Sequence, residues 1–231
     1  MSDSLVELHK KLQMIVAQSN YDATRFFKTG VDSYSAHDQF VGITNPVLRQ
    51  LAKEYNDLSF DEIAELLGSV YNQYRQLGLF MLVNRYQKSD VAGRDAAYSF
   101  YMQHIDAVSN WNLVDSSAHL IVGAHIHAGR VPSSVLEDLA VSCVLWHRRI
   151  GIVATWYLIR QDSFDMTISL AEKLLSDTHD LMHKAVGWML REMGKRDEQK
   201  LRMFLDAHGA RMPRTMYRYA IERLPGYEMS K

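Results

Sequence analysis

The chain has 231 residues, 47% of them hydrophobic and 23% charged, with 26 Lys+Arg against 27 Asp+Glu for a formal net charge of −1. That is ample apolar sequence for a buried core and too much for a disordered chain, while only 12 Gly and 4 Pro exclude a collagen-like or mucin-like one. A near-neutral total gives no prior for a polyanionic partner.

The longest apolar-looking run, Ile150 to Ile159, is about half of the roughly 20 residues that cross a bilayer and contains Thr155, so no membrane span is expected. The start, MSDSLVELHKKL, lacks a basic leader followed by an apolar block. The one cysteine, Cys143, cannot form an internal disulfide or a Cys-based zinc site. A reducing, cytoplasmic setting is the expectation.

Helical periodicity and helix punctuation dominate, and hairpin signals are absent, so an all-α chain is predicted. In chain order the helices are expected at 4–17, 22–28, 46–56, 60–68, 71–87, 92–103, 110–127, 134–142, 146–160, 165–176, 179–193, 198–208 and 213–223. Ser59 with Glu62, and Ser134 with Glu137, have capping-box spacing. Asn45 before Pro46 reads as a cap followed by proline at the first helical position, and Pro213 opens the last helix before Pro225-Gly226.

A helix carrying bulky and basic residues recurs from Trp111, Arg149, Lys184 and Arg214, at intervals of 38, 35 and 30 residues. Such spacing suits two-helix repeats that must stack to bury their apolar faces. The expected architecture is a curved α-solenoid of HEAT-like helical pairs, with one helix per pair lining a concave cleft. No linker-like stretch divides the chain, so one domain over 1–231 is expected.

The recurring helices place Trp111, Asp115, Ala118 and Val122 on one stripe, then Arg149, Val153, Trp156 and Arg160, then Lys184, Trp188, Arg191 and Lys195, then Arg214, Arg218 and Ile221. Arg148 is the alternative to Arg149. A basic stripe on a single helix is most often just its solvated side. Recurrence with tryptophan makes a patch whose chemistry is base stacking and phosphate contact, with Asp115 as its single carboxylate. Between Met182 and Arg223 there are ten Lys+Arg against five Asp+Glu, so the neutral total hides a polarised molecule.

Six segments carry a resemblance: FFKTG at 26–30, QFVGITNPVLRQLAKEY at 39–55, NWNLVD at 110–115, WHRRIGIVATWYLIR at 146–160, HDLMHKAVGWMLREMGKRD at 179–197 and MPRTMYRYAIERLP at 212–225. In this order they resemble the DNA alkylation repair glycosylases of the AlkD-like family over nearly the whole chain. The resemblance implies a HEAT-like solenoid that binds duplex DNA in its concave cleft and excises cationic N3- or N7-alkylated purines, such as 3-methyladenine and 7-methylguanine. It also implies that the base need not be flipped into a tight pocket. Matched residue by residue, the catalytic carboxylate falls on Asp115 and its tryptophan on Trp111. The second tryptophan falls on Trp188 and the arginine on Arg149, or Arg148. Where some relatives have a tyrosine near the end of the early helix, this chain has Phe26.

In this reading Lys184, Arg191, Lys195, Arg214 and Arg218 track the DNA backbone, and the protein acts as a monofunctional hydrolase, a monomer without cofactor or metal. Among the histidines only His179 and His183 share a helix face at i, i+4, and surface or capping roles are expected for them. Trp146 and Trp156 stay outside the catalytic set. The alternatives are a non-catalytic HEAT-like binder of damaged or branched DNA and a protein-interaction scaffold.

Overall fold

Leu5, Leu8 and Leu12 recur on one helix face, and in the computed structural model of the protein, which describes residues 2–226, all three are fully buried on α1 (Asp3–Gln18). Each contributes about 1.5–3 kcal/mol by leaving water. The all-α expectation holds: helices dominate the described residues, and among these the one bridge, Gln39 with Tyr71, is isolated. The chain falls into two compact units, Met1–Ser117 and Ala118–Lys231.

In the first unit α1 is followed by α2 (Asn45–Glu54), α3 (Phe60–Leu67), α4 (Asn72–Lys88), α5 (Val91–Gln103) and α6 (Trp111–Ala118). α4 packs against α2, α3 and α5. It is therefore buried nearly all round, including Asn72, Gln73, Arg75 and Gln76 near its start. The Ser59–Glu62 capping box is formed, with the Glu62 carboxylate also accepting the Ser2 N–H at 3.1 Å. These hydrogen bonds, Ser2 first, hold the Glu62 carboxyl down at about 2.

Three expectations need correction. The predicted helix at 22–28 is only a 3-10 turn, Thr24–Phe26. Asp22 Oδ1 takes the Thr24 N–H at 2.9 Å and its hydroxyl at 2.5 Å, and this local turn wins over helix before the chain runs extended at Phe27. Thr44, not Asn45, precedes α2, and Asn45 is its first residue. The Ser134–Glu137 box does not form: Ser134 already lies inside its helix, and Glu137 instead pairs with Lys173 Nζ at 2.6 Å.

The second unit opens on a π-helical turn, His119–Gly123, so the helix expected over 110–127 is built in three pieces ending with α7 (Ala124–His127). There follow α8 (Ser134–Ala140), α9 (Leu145–Ile159), α10 (Asp165–Lys173), α11 (Asp180–Gly194), α12 (Glu198–His208) and α13 (Arg214–Ile221). α9 packs on the π turn and on α11, and α11 packs on α13; α8, α10 and α12 pack behind them. These are the stacked pairs that the repeat spacing predicts. Glycine makes the closest steps possible. A Cβ on Gly123 would overlap the Ala154 carbonyl oxygen, and one on Gly187 would overlap that of Met216.

Candidate active site and nucleic-acid interface

Trp111 and Asp115 stand one turn apart at the start of α6, each half-buried. The helix start is fixed through Asn110, which is fully buried. Its carbonyl accepts the Val114 N–H at 3.0 Å, and its Oδ1 accepts the Trp111 N–H at 2.7 Å. The Trp111 indole lies nearly parallel to Phe27, with ring centroids 5.0 Å apart, and Phe27 in turn stacks on Phe40 at 4.3 Å. Phe26, by contrast, is 51% exposed and lies under the Arg25 guanidinium. The aromatic ring that the early segment gives to Trp111 is therefore Phe27's.

In the second unit the two candidate arginines are both anchored. Arg148 Nε donates to Asp177 Oδ2 at 2.7 Å, and its Nη1 to the carbonyls of Ser142 and Cys143 at 3.0 and 3.1 Å. Arg149 is 5% exposed, with Nη1 donating to the Leu181 carbonyl at 2.6 Å. On α9 the expected stripe thus enters the core at Arg149 and Val153 and reaches solvent at Arg160. Along α11 it stays accessible: Lys184, Trp188 and Arg191 are half-buried and Lys195 is exposed, as are Arg214 and Arg218 on α13.

The expectation that the α11 stripe is free of carboxylates needs correction. Glu192, one turn beyond Trp188, accepts the indole N–H at 3.2 Å and Lys195 Nζ at 2.6 Å, and lies 3.8 Å from Arg191. Lys184 pairs with Asp180 at 2.6 Å, and Arg191 also pairs with Glu222. The stripe drawn from Lys184 misses these acids because Asp180 lies one turn before its start, Glu192 beside it and Glu222 at the end of α13. The Lys184–Asp180 pair, open to solvent on both sides, is worth about 0–1 kcal/mol.

Trp156 belongs with this face, although the sequence leaves it ambiguous. Its ring lies 5.0 Å from Trp188, edge to face, and 4.5 Å from the His119 imidazole. Burial, with a smaller contribution from the Arg160 charge, pushes His119 down to about 4. The His119, Trp156 and Trp188 rings thus form an uncharged aromatic row.

His179 caps α11, its Nδ1 accepting the Leu181 N–H at 3.1 Å, a role that needs the neutral ring, and burial lowers its pKa in that direction. His183 Nε2 donates to the Asp177 carbonyl at 2.5 Å. Both have the local structural roles expected. Among the described residues, no three His, Cys, Asp or Glu side chains are grouped to hold a metal, and no helix is long and apolar enough to cross a membrane.

The sequence model for DNA alkylation repair enzymes matches residues 13–224, nearly the whole chain. The chain belongs to the DNA alkylation repair enzyme family. A solved structure described as a predicted DNA alkylation repair enzyme from Enterococcus faecalis is similar at TM-score 0.68 and 15% identity, covering 91% of this chain and 99% of that one. At that identity the likeness shows a shared fold. No curated protein matches the chain. Membership in the DNA alkylation repair family gives this protein a role in the repair of alkylated DNA. The family match spans the segments that hold Trp111, Asp115, Arg149 and Trp188.

Proposed function

We propose that the protein is a monofunctional DNA glycosylase that hydrolyses the N-glycosidic bond of cationic N3- or N7-alkylated purines in duplex DNA. The observation that carries this reading is the Trp111–Asp115 pair: a half-buried carboxylate one turn from an indole, on a helix whose first turn is held by the buried Asn110.

An alkylated purine cation is already a good leaving group, so the barrier lies at the sugar, which gains oxocarbenium character as the bond lengthens. A fixed carboxylate stabilises that charge and can orient the attacking water. At ~4 Å and an effective dielectric of ~20 the gross attraction is about 4 kcal/mol. The indoles of Trp111 and Trp188 present electron-rich faces to cationic groups, worth about 0.5–2 kcal/mol each, which neutral purines do not gain. Selectivity then follows from charge and leaving-group chemistry rather than from a tight base pocket.

Arg149, with Arg148 as the alternative, contacts a phosphate, and Lys184, Arg191, Lys195, Arg214 and Arg218 follow the backbone without reading sequence. A guanidinium already tethered to the Leu181 carbonyl or to Asp177 loses less freedom on meeting a phosphate than a solvated one. In this reading the protein works as a monomer without a cofactor.

The test is incubation of the protein with duplex DNA containing 7-methylguanine, measuring released base and abasic sites. Release of the free base, with no strand cleavage beyond that of abasic DNA, supports the reading. Tight binding without release would make the protein a non-catalytic binder of damaged DNA, and absence of salt-sensitive DNA binding would leave a protein scaffold.

A further inference from the structure

The non-helical segment between α1 and α2 is tied to α4 and to the start of α6 through a buried polar cluster. The Gln39 N–H donates to the Val70 carbonyl at 3.1 Å, the Asn72 N–H to the Gln39 carbonyl at 2.8 Å, and the Val41 N–H to Gln73 Oε1 at 2.9 Å. These bonds deliver the Asp38 carboxylate, 7% exposed, to the interior. Its Oδ1 accepts from Arg75, and its Oδ2 accepts from Asn72 Nδ2 at 3.0 Å and Asn110 Nδ2 at 2.5 Å. Asn110 Nδ2 also donates to Ser35 Oγ at 2.6 Å. Below them Asn112 Nδ2 donates to Asn72 Oδ1 at 2.8 Å and Gln76 Oε1 at 2.9 Å.

A buried carboxylate is costly unless its charge is met, and an apolar core of equal volume would commonly be as stable. The cluster therefore needs a reason beyond stability, and its geometry supplies one. Asp38 fixes which way the Asn110 amide faces: reversal would set a carbonyl oxygen against the carboxylate and an NH2 against the Trp111 N–H. Only the observed orientation leaves Asn110 Oδ1 to hold that N–H, one of the helix-start donors without a helical partner. Phe27 braces the same residue from its ring side and covers one indole face.

We propose that Asp38 and Asn110 are positioning residues, acting through the Trp111 backbone to set the register and aim of the Trp111–Asp115 turn, with Phe27 fixing the indole plane. The proposal rests on the glycosylase reading for its consequence on rate, though not for its structural content. Displacement of a reacting group by about 1 Å costs on the order of a hundredfold in rate, so a loosened turn shows first in the chemical step.

The experiment uses Asp38→Asn, Asn110→Asp and the double variant. Asp38→Asn removes the charge that meets Arg75 and orients Asn110, and Asn110→Asp sets two carboxylates face to face. The double variant restores a donor facing an acceptor between the two positions and keeps an acceptor on the Trp111 N–H. Single-turnover release of 7-methylguanine is expected to fall about tenfold or more in each single variant, with duplex affinity within about twofold of the native protein, and to recover part of the loss in the double, where the Asn72 amide still meets a donor. Native rates in the singles, equal losses in rate and affinity, or a double variant no better than the worse single would overturn the proposal. Should a single variant fail to fold, Phe27→Leu is expected to lower the rate while leaving affinity unchanged, and a native rate there would count against the proposal in the same way. Amide hydrogen exchange of Trp111 separates the proposal from the glycosylase reading. If the native protein releases no base, that reading falls, yet the Trp111 N–H should still be protected in the native chain, exposed in the singles and protected again in the double. Unchanged protection in the singles would overturn the positioning role.

Discussion

Trp188 donates its indole N–H to Glu192 at 3.2 Å, and the same carboxylate oxygen accepts Lys195 Nζ at 2.6 Å. A negative charge thus sits inside the most basic part of the chain, where it holds an aromatic ring and a lysine in place. If this face meets DNA, Glu192 opposes the phosphates. Repulsion of about 1 kcal/mol, the solvent-screened value at ~4 Å, corresponds to about fivefold in affinity. Glu192→Gln keeps an acceptor for the indole and should bind duplex DNA about fivefold more tightly at low salt, with the gain shrinking as salt rises. Fluorescence anisotropy of a labelled duplex across a salt series measures it. An unchanged or weaker affinity would move the DNA away from α11.

Asp115→Asn keeps the shape of the side chain and removes its charge. On the proposed chemistry it forfeits stabilisation of the oxocarbenium-like sugar, up to about 4 kcal/mol or roughly a thousandfold in rate. Single-turnover base release should fall by that order, while affinity for a duplex bearing an abasic analogue stays within about twofold. Equal loss of both would make Asp115 a structural residue.

Gly187 lies where α11 meets α13, and a Cβ there would press on the Met216 carbonyl oxygen and on Tyr219 Cβ. Backbone cannot yield as a side-chain tip can, so Gly187→Ala should cost about 1–3 kcal/mol in urea unfolding. Gly30→Ala, where nothing lies within 4 Å, is the control and should stay within about 0.5 kcal/mol. Similar costs at both positions would mean that close helix approach is not what Gly187 provides.

Helix positions were legible because apolar spacing and caps are local: Leu5, Leu8 and Leu12 announce α1, and Ser59 with Glu62 announces α3. The repeat of inner helices was legible for the same reason. What the sequence hid was long-range. Asp38 meets Asn110 across 72 positions, and the polar residues Asn72, Arg75 and Gln76 occupy buried sites of α4 that a hydrophobic pattern reads as surface. Their i, i+3, i+4 spacing was the available signal, since three polar residues on one face, leading straight into the apolar run Leu77–Val83, need partners. The ion pairs of Arg191 with Glu222 and of Glu137 with Lys173 escaped similarly, since a stripe drawn along one helix cannot show an acid carried by another. Phe27 rather than Phe26 supports Trp111 because the chain leaves its short turn at Phe27 and runs extended, which a helix continued to 28 would have prevented.

His119 is held neutral, its pKa pushed down by burial to about 4 from an ordinary 6.5. Above pH 6.5 both folded and unfolded chains carry the uncharged ring, and the stability that depends on it is fully present. Between 6.5 and about 4 the unfolded chain takes up a proton that the folded chain refuses, so stability declines as pH falls through that window. The full gap corresponds to about 3 kcal/mol. His119→Phe keeps an aromatic ring beside Trp156 and removes the titration. Its stability relative to the native protein should therefore improve by up to about 3 kcal/mol between pH 7 and pH 4, read from urea midpoints at several pH values. Parallel pH curves for the two proteins would show that His119 titrates normally, and that water reaches the imidazole beneath Trp156.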